Sequence, residues 1–317
     1  MSYLPCELHC HTRHSDGGFT VRELQQAALD DHLALIALTD HNTASGVPEA
    51  DQSLLPVVGG MEWTTYYGHM LVLNAGHFVD WRSAKPNNID EKVAELKAAG
   101  AVVGCAHPFQ LGSPICTGGR WEFRVQDWSR FDYLEIWHDA FTPDNPENEQ
   151  GLALFTNLLD RGIKITPTYG RDWHRPEPPE NLYGCTYLGI DGAAAPEHAL
   201  EAIRAGRSVV SSGAKLLFRI HQKGSTYTLG DTLQGGNAIF SFFTDLHSRE
   251  KNRENTNIEY KSIKIITRGG RCVCETAVSE RHIHLKLEKH SWYRAELWGT
   301  MNGQKLPLAV TAAVYTE

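Results

Sequence analysis

The hydrophobic pattern of the chain changes character once. Up to residue 212, short apolar runs alternate with segments whose apolar positions recur every three or four residues. Strand-like runs cover residues 4–8 (LPCEL), 33–38 (LALIAL), 55–61 (LPVVGGM), 69–75 (HMLVLNA), 101–106 (AVVGCA), 131–137 (FDYLEIW), 163–168 (IKITPT) and 183–190 (YGCTYLGI). Between them, residues 21–31, 89–99, 147–160 and 197–205 carry apolar side chains at helical spacing. Thr20, Asn88 and Pro196 stand at the expected helix starts, and Gly100, Gly162 and Gly206 follow the expected ends. Strands alternating with helices predict a mostly parallel sheet with crossover helices. About seven such units favour a distorted seven-stranded (β/α) barrel, and a barrel carries its chemistry at the C-terminal ends of its strands.

From residue 213 to 317 the helical period disappears. KLLFRI, AIFSFFTD, YKSIKIIT, IHLKLE and YRAELWG are separated by turn clusters such as LGDTLQGGN, TRGGR and TMNGQ. That texture predicts an antiparallel β-sandwich as a second, smaller domain, with the polar stretch 247–257 as an exposed loop.

Composition adds bounds. Hydrophobic residues make up 41% of the 317 and charged residues 21%, enough for a large core and too apolar for a disordered chain. The net charge of −8 argues against a binder of nucleic-acid backbones or anionic membranes. No apolar run reaches bilayer-spanning length, and MSYLPCELHC lacks the regions of a signal peptide, so a cytoplasmic protein is expected. The seven cysteines include no CxxC pair. Cys6, Cys10 and Cys105 lie in or beside apolar runs and are read as reduced and structural. The sixteen histidines change the picture more, because many fall at the ends of apolar runs.

The first run leads into ELHCHTRHSDGG. In extended backbone His9 and His11, two apart, aim to one side and can share an ion. His14, Ser15 and Asp16 follow in a loop that can fold back over the same mouth. The second run ends in Thr39-Asp40-His41-Asn42, a carboxylate beside a histidine. The third ends in Gly59-Gly60-Met61-Glu62, with a charge where the strand stops. His69 opens the next run, His107 ends AVVGCA, and IKITPT leads into Gly170-Arg171-Asp172-Trp173-His174. Any one of these histidines could equally bond backbone at a strand end. Their recurrence at successive strand ends points to a metal cluster, and imidazole with carboxylate but no thiolate suits zinc, manganese or iron.

HCHTRHSDG, LTDHN, GGMEWT, YGHM, CAHP and GRDWH, in this order, resemble the metal motifs of the polymerase-and-histidinol-phosphatase (PHP) superfamily. The C-terminal AGRSVVSSGAKLLFRI, LGDTLQGG and WYRAELWGTMNGQ are similar to its branch with a trailing β-sandwich, which includes carbaryl-hydrolase-like proteins. The resemblance implies a distorted seven-stranded barrel around two to three divalent ions. It assigns His9, His11, Glu62 and Asp172 to a first ion and Glu62, His69 and His107 to a second, with Glu62 bridging. Asp16, His41 and His174 fall to a third, and Asp40 is expected to orient a histidine from behind. Two departures bear on the substrate. The short connection from His69 to His107 lacks the cap of the nucleoside-bisphosphate branch, and Arg171 and Trp173 flank Asp172 where that motif has small residues.

The resemblance implies a metal-dependent hydrolase. Divalent ions generate a hydroxide nucleophile near neutral pH and neutralise developing charge. Arg13, Arg120 and Arg171 are candidate clamps for an oxyanion or phosphate. His138 and His14 are candidate proton donors, and Glu135 a candidate buttress. The leading reading is a phosphoesterase acting on a small anionic phosphate ester. The second is a hydrolase of carboxylic, carbamate or amide esters on the same platform, and the third a non-catalytic, metal-stabilised binding module. The β-sandwich is expected to pack on the barrel or to mediate homo-oligomerisation.

Overall fold

The computed structural model describes residues 1–112, 119–176, 178, 181–249 and 257–317. The first portion comprises β1 (Ser2–Cys10), α1 (Val21–Asp30), β2 (Leu35–Leu38), β3 (Val57–Thr65), β4 (Gly68–Leu73), α2 (Ile89–Ala98), β5 (Val102–Cys105), β6 (Tyr133–His138), α3 (Pro146–Asp160), β7 (Thr166–Gly170), β8 (Cys185–Ile190), α4 (Pro196–Arg204) and β9 (Ser208–Ser211). Local chemistry sets the helix ends. Thr20 and Glu23 form a reciprocal capping box at α1, and Asn145 caps α3 ahead of Pro146. Gly100, Gly162 and Gly206 take the left-handed conformation just past α2, α3 and α4. Asn88 does not cap α2; its side chain accepts instead from the Lys85 N–H at 2.7 Å.

Strands β1 to β7 lie side by side in chain order. The pairs β1–β2, β2–β3, β5–β6 and β6–β7 are parallel, whereas β3–β4 and β4–β5 are antiparallel. The mostly parallel order read from the sequence therefore breaks at β4. Only Tyr66 and Tyr67 separate β3 from β4, too few residues for a parallel crossover. Past β7 the chain returns to β1: Cys10 bridges Trp173 in parallel, with His11 N–H donating to the Trp173 carbonyl at 2.9 Å. Leu8, Leu35, Ala37, Val58, Leu71 and Tyr133 pack together as one buried cluster. Burying such side chains contributes roughly 1.5–3 kcal/mol each.

The rest of the chain adds β10 (Lys215–Gln222), β11 (Ser225–Tyr227), β12 (Thr232–Leu233), β13 (Gly236–Asp245), β14 (Ile258–Thr267), β15 (Arg271–Ala277), β16 (His282–Leu287), β17 (Trp292–Met301), β18 (Gln304–Thr311) and β19 (Val314–Thr316). Strands β11, β10, β13 and β16 form a separate antiparallel sheet. The others continue the first sheet, because β1 pairs with β8, β8 with β9, and β9 with β18. Main-chain hydrogen bonding thus runs across residue 212 without a break. Phe218, Ile220 and Phe240 of the small sheet share an apolar core with Tyr293, Ala295 and Leu297 of β17.

Cys6, Cys10, Cys105 and Cys185 lie in the core outside any disulfide, and burial pushes the Cys6, Cys105 and Cys185 thiols up. Cys116 and residues 250–256 of the expected exposed loop lie outside the described residues. Among the described residues, no helix is long and apolar enough to cross a membrane.

Candidate metal centre

The nine side chains singled out at strand ends converge. Four groups of ligand atoms each lie within 4.8 Å of one another: His9, His11, Glu62 and Asp172; Glu62, His69 and His107; His11, Asp16, His41 and His174; and His9, His107 and Glu135. The first two match the expected sets. In the third His11 joins, and the fourth was not anticipated.

Backbone irregularities aim these groups. The β1–β2 register slips between Glu7 and Cys10, beside His9, and the β6–β7 register slips between Glu135 and Trp137. Such bulges redirect side chains next to active sites. Asp172 holds φ at 52°, a left-handed conformation that costs a non-glycine residue about 1–3 kcal/mol unless its surroundings enforce it. Trp173 enforces it on one side: its N–H donates to the His9 carbonyl at 3.0 Å, and its ring packs edge-on against Phe19.

Glu62, fully buried, is the hub. Its Oε1 lies 3.0 Å from both His69 Nδ1 and His107 Nε2 and 3.5 Å from His9 Nε2. Its Oε2 lies 2.7 Å from His41 Nδ1 and 3.6 Å from His11 Nε2. Burial alone would raise its pKa, but His69 and His9 beside it, with His107 and His41 bonded to it, hold the carboxyl well below the usual range. Asp172 Oδ1 stands 3.1 Å from His9 Nε2 and 3.0 Å from His11 Nε2. Asp16, at the solvent edge, stands 3.4 Å from His41 Nε2 and 3.2 Å from His174 Nε2.

Several of these atoms have no partner in hydrogen-bond geometry: His9 Nε2, both ring nitrogens of His11, His107 Nδ1 and Asp172 Oδ1. Buried polar atoms are ordinarily satisfied. Three of the unpartnered atoms, His9 Nε2, His11 Nε2 and Asp172 Oδ1, stand together, with both nitrogens within 3.1 Å of the carboxylate oxygen. Orphaned imidazole nitrogens beside a carboxylate are the donor set of a divalent cation, so the residues fit the ions that the motifs imply.

The supports behind the ligands differ in part from expectation. Glu135, not Asp40, orients a histidine: its Oε1 accepts from His9 Nδ1 at 3.0 Å and its Oε2 from the His107 N–H at 2.8 Å. A Cβ on Gly170 would collide with that carboxylate, so the glycine beside the ligand loop makes room for Glu135. Asp40 is buried but accepts from Thr12 N, Thr12 Oγ1 and Ser15 Oγ at 2.7–2.8 Å. It therefore fixes the loop that carries Asp16 and touches no histidine in the hydrogen bonds seen. Glu7 had gone unnoticed. Its Oε1 accepts from the His9 and Arg171 N–H groups at 2.9 and 3.0 Å, joining β1 to the segment after β7, and burial pushes its carboxyl up to about 8. A carboxylate two residues before HxH in an otherwise apolar run was the available signal.

The arginines fall outside the cluster. Arg171 is buried, with its guanidinium 2.8 Å from Asp31 and stacked 3.8 Å from the Trp173 ring centre and 4.3 Å from that of Tyr183. Asp172 turns toward His9 and His11, whereas the side chain of Arg171 turns to Asp31 and that of Trp173 to Phe19. The Arg13 side chain is 61% exposed and donates to the Gly18 carbonyl at 2.9 Å. Arg120 is exposed, just beyond residues 113–118, which lie outside the described residues. His14 sits between Ser45 and Glu49, away from the ligands. His138 is close: its ring centre is 6.0 Å from that of His107, and its Nε2 is 2.9 Å from the Glu147 carboxylate.

No protein-family model and no curated protein matches the sequence. Solved structures do match the fold. A Bacteroides vulgatus structure, described as a two-domain protein containing a predicted PHP-like metal-dependent phosphoesterase, aligns over 98% of this chain and 95% of its own at TM-score 0.52 and 16% identity. A protein from Bifidobacterium adolescentis described as a metal-dependent phosphoesterase aligns over 53% and 87% at TM-score 0.38 and 21% identity. Endonuclease Q, in complex with a 27-mer duplex bearing an abasic lesion, aligns over 64% and 57% at TM-score 0.44 and 14% identity. The two-domain alignment spans nearly the full length of both chains, so this chain shares the fold of that structure, and the motif residues meet in one place.

Proposed function

We propose that the chain is a metal-dependent hydrolase, most specifically a phosphoesterase for a small anionic ester. The carrying observation is the set of buried, unpartnered nitrogens and oxygens around Glu62 and Asp172. His9, His11, Glu62 and Asp172 would hold one divalent ion, Glu62, His69 and His107 a second, and His11, Asp16, His41 and His174 a third. Zinc, manganese or iron bound there would activate water near neutral pH and offset negative charge developing on the substrate.

The chain's own residues do the remainder. Glu135 fixes the His9 ring so that Nε2 faces the ligand space, as carboxylates behind metal-binding histidines do. Asp40 anchors the Thr12–Ser15 turn, and with it Asp16 at the open edge. His138, with Nε2 2.9 Å from the Glu147 carboxylate, stands beside His107 as the group placed to donate a proton to a leaving oxygen. Three divalent ions would bring six positive charges against three from Asp16, Glu62 and Asp172, and a phosphate monoester dianion together with one hydroxide would close the difference.

One observation favours the second reading, hydrolysis of carboxylic, carbamate or amide esters. Neither Arg13 nor Arg171 reaches the cluster, so neither supplies a side-chain clamp for phosphate. On either reading residues 1–212 form the catalytic barrel, with β1–β7 as its seven strands, and residues 213–317 the accessory β-domain. Matched aryl phosphates and aryl carboxylates, assayed with zinc, manganese and iron in turn, separate the two. Phosphate turnover is the expected result; efficient carboxylate-ester cleavage with negligible phosphatase activity under every metal would reverse the order.

A further inference from the structure

Helix α3 and the β17–β18 hairpin enclose a cleft of about 240 Å³ in which none of the clustered ligands takes part. Its walls are apolar, with Trp137 and Phe141 from the first portion facing Leu306 and Trp298 from the second. Lys264 already covers one side of the Trp298 ring at 3.6 Å. Around these walls stand Asn145, Lys305 and Glu149. An apolar slot with a few placed polar groups, between two packed portions of a chain, is the usual build of a small-molecule site. Its size exceeds the cavity of about 150 Å³ that accepts benzene.

The polar groups narrow the class of ligand. Asn145 Oδ1 is committed to the end of α3, accepting from Glu147 N and Asn148 N at 3.0 and 3.1 Å. Its amide nitrogen is thereby turned away from the helix as a free donor, and the Lys305 ammonium supplies another. Asn148 also lines the cleft; it is nine-tenths buried and its Nδ2 has no partner. Three donor groups, Asn145 Nδ2, Asn148 Nδ2 and the Lys305 ammonium, stand beside the Glu149 carboxylate and the Thr142 hydroxyl, so the slot suits a planar ring that carries an acceptor oxygen.

We propose that this cleft binds a small aryl carboxylate or aryl amide, and that its occupancy is felt at His138. Trp137 and Phe141 hold the ring, and Asn145 and Lys305 meet the oxygen. The link to the metal centre is short. Asn148 Oδ1 accepts from the His138 N–H at 2.9 Å, and the Glu147 carboxylate, one residue earlier on α3, lies 2.9 Å from His138 Nε2. A ligand that stiffens the start of α3 therefore stiffens the mount of His138. The binding half of the proposal does not depend on the hydrolytic reading.

The test titrates benzoate, benzamide and benzylamine into the full-length protein by calorimetry and by imidazole-resolved NMR. Benzoate and benzamide should bind saturably with Kd on the order of 1 mM or tighter, as one-ring ligands do, and benzylamine more weakly. Leu306→Trp, which fills the slot, should weaken both by about tenfold or more. Lys305→Gln, a surface change that leaves folding intact, should weaken benzoate more than benzamide. Benzoate should also shift the His138 imidazole resonance in the wild type but not in Leu306→Trp. No saturable binding up to about 10 mM, or equal binding by wild type and both variants, would overturn the site. Saturable binding with an unmoved His138 resonance would overturn the coupling.

Discussion

Histidines gather in two regions of this protein, and only one reads as a site. Around Glu62 the rings of His9, His11, His41, His69, His107 and His174 are packed on one another, and several of their nitrogens lack partners. On the small sheet, His221 of β10 and His282 and His284 of β16 stand exposed on either side of β13. There His221 bonds Thr226 and His282 bonds Ser241, each at 3.0 Å. Both regions contain an H-x-H in a strand. What separates them is burial without satisfaction: a solvated imidazole has water, whereas a buried one needs a proton acceptor or a cation.

The largest effect that would sharpen this contrast is expected from Glu62→Gln. It nearly preserves volume but removes the charge placed between two ligand groups. Turnover should fall on the order of 10³-fold, together with bound metal. Full metal content with near-normal turnover would remove Glu62 from its central role. Next comes Glu135→Gln, which leaves every proposed ligand in place but weakens the hold on His9. A loss of roughly 10- to 100-fold in metal affinity or activity is expected, measured by metal-buffered titration. An unchanged affinity would make Glu135 a bystander. Smallest is the double change of His282 and His284 to Gln. Turnover and metal stoichiometry should stay at wild-type values, and a large loss of either in folded protein would place chemistry in the wrong region.

Much of the site was legible because its logic is local. His9 and His11 are two apart in extended backbone, and Glu62, His107 and Asp172 follow apolar runs, so strand period and strand ends located them. The Gly100, Gly162 and Gly206 stops were legible for the same reason. What escaped depends on bulges and on side-chain reach. The register slip at Glu135 and the turn of Asp40 toward Thr12 and Ser15 leave no periodic trace, so the orienting of a histidine was assigned to Asp40 and Glu135 was read only as a buttress. Arg171 looked like a clamp because a guanidinium forks around phosphate oxygens, yet its side chain pairs with Asp31 and stacks on Trp173 and Tyr183. The antiparallel β3–β4 hairpin was hidden by runs that read alike in either direction.

The central claim is that the buried cluster holds divalent ions, and metal stoichiometry tests it most directly. Full-length protein would be stripped with chelator, reloaded with zinc, manganese or iron, dialysed against metal-free buffer, and analysed by inductively coupled plasma mass spectrometry beside Glu62→Gln. Wild type should retain about two to three equivalents, in line with the ligand groups, and the variant markedly fewer. Folded wild-type protein that retains less than about one equivalent of every metal, or a variant that retains as much as wild type, would contradict the account.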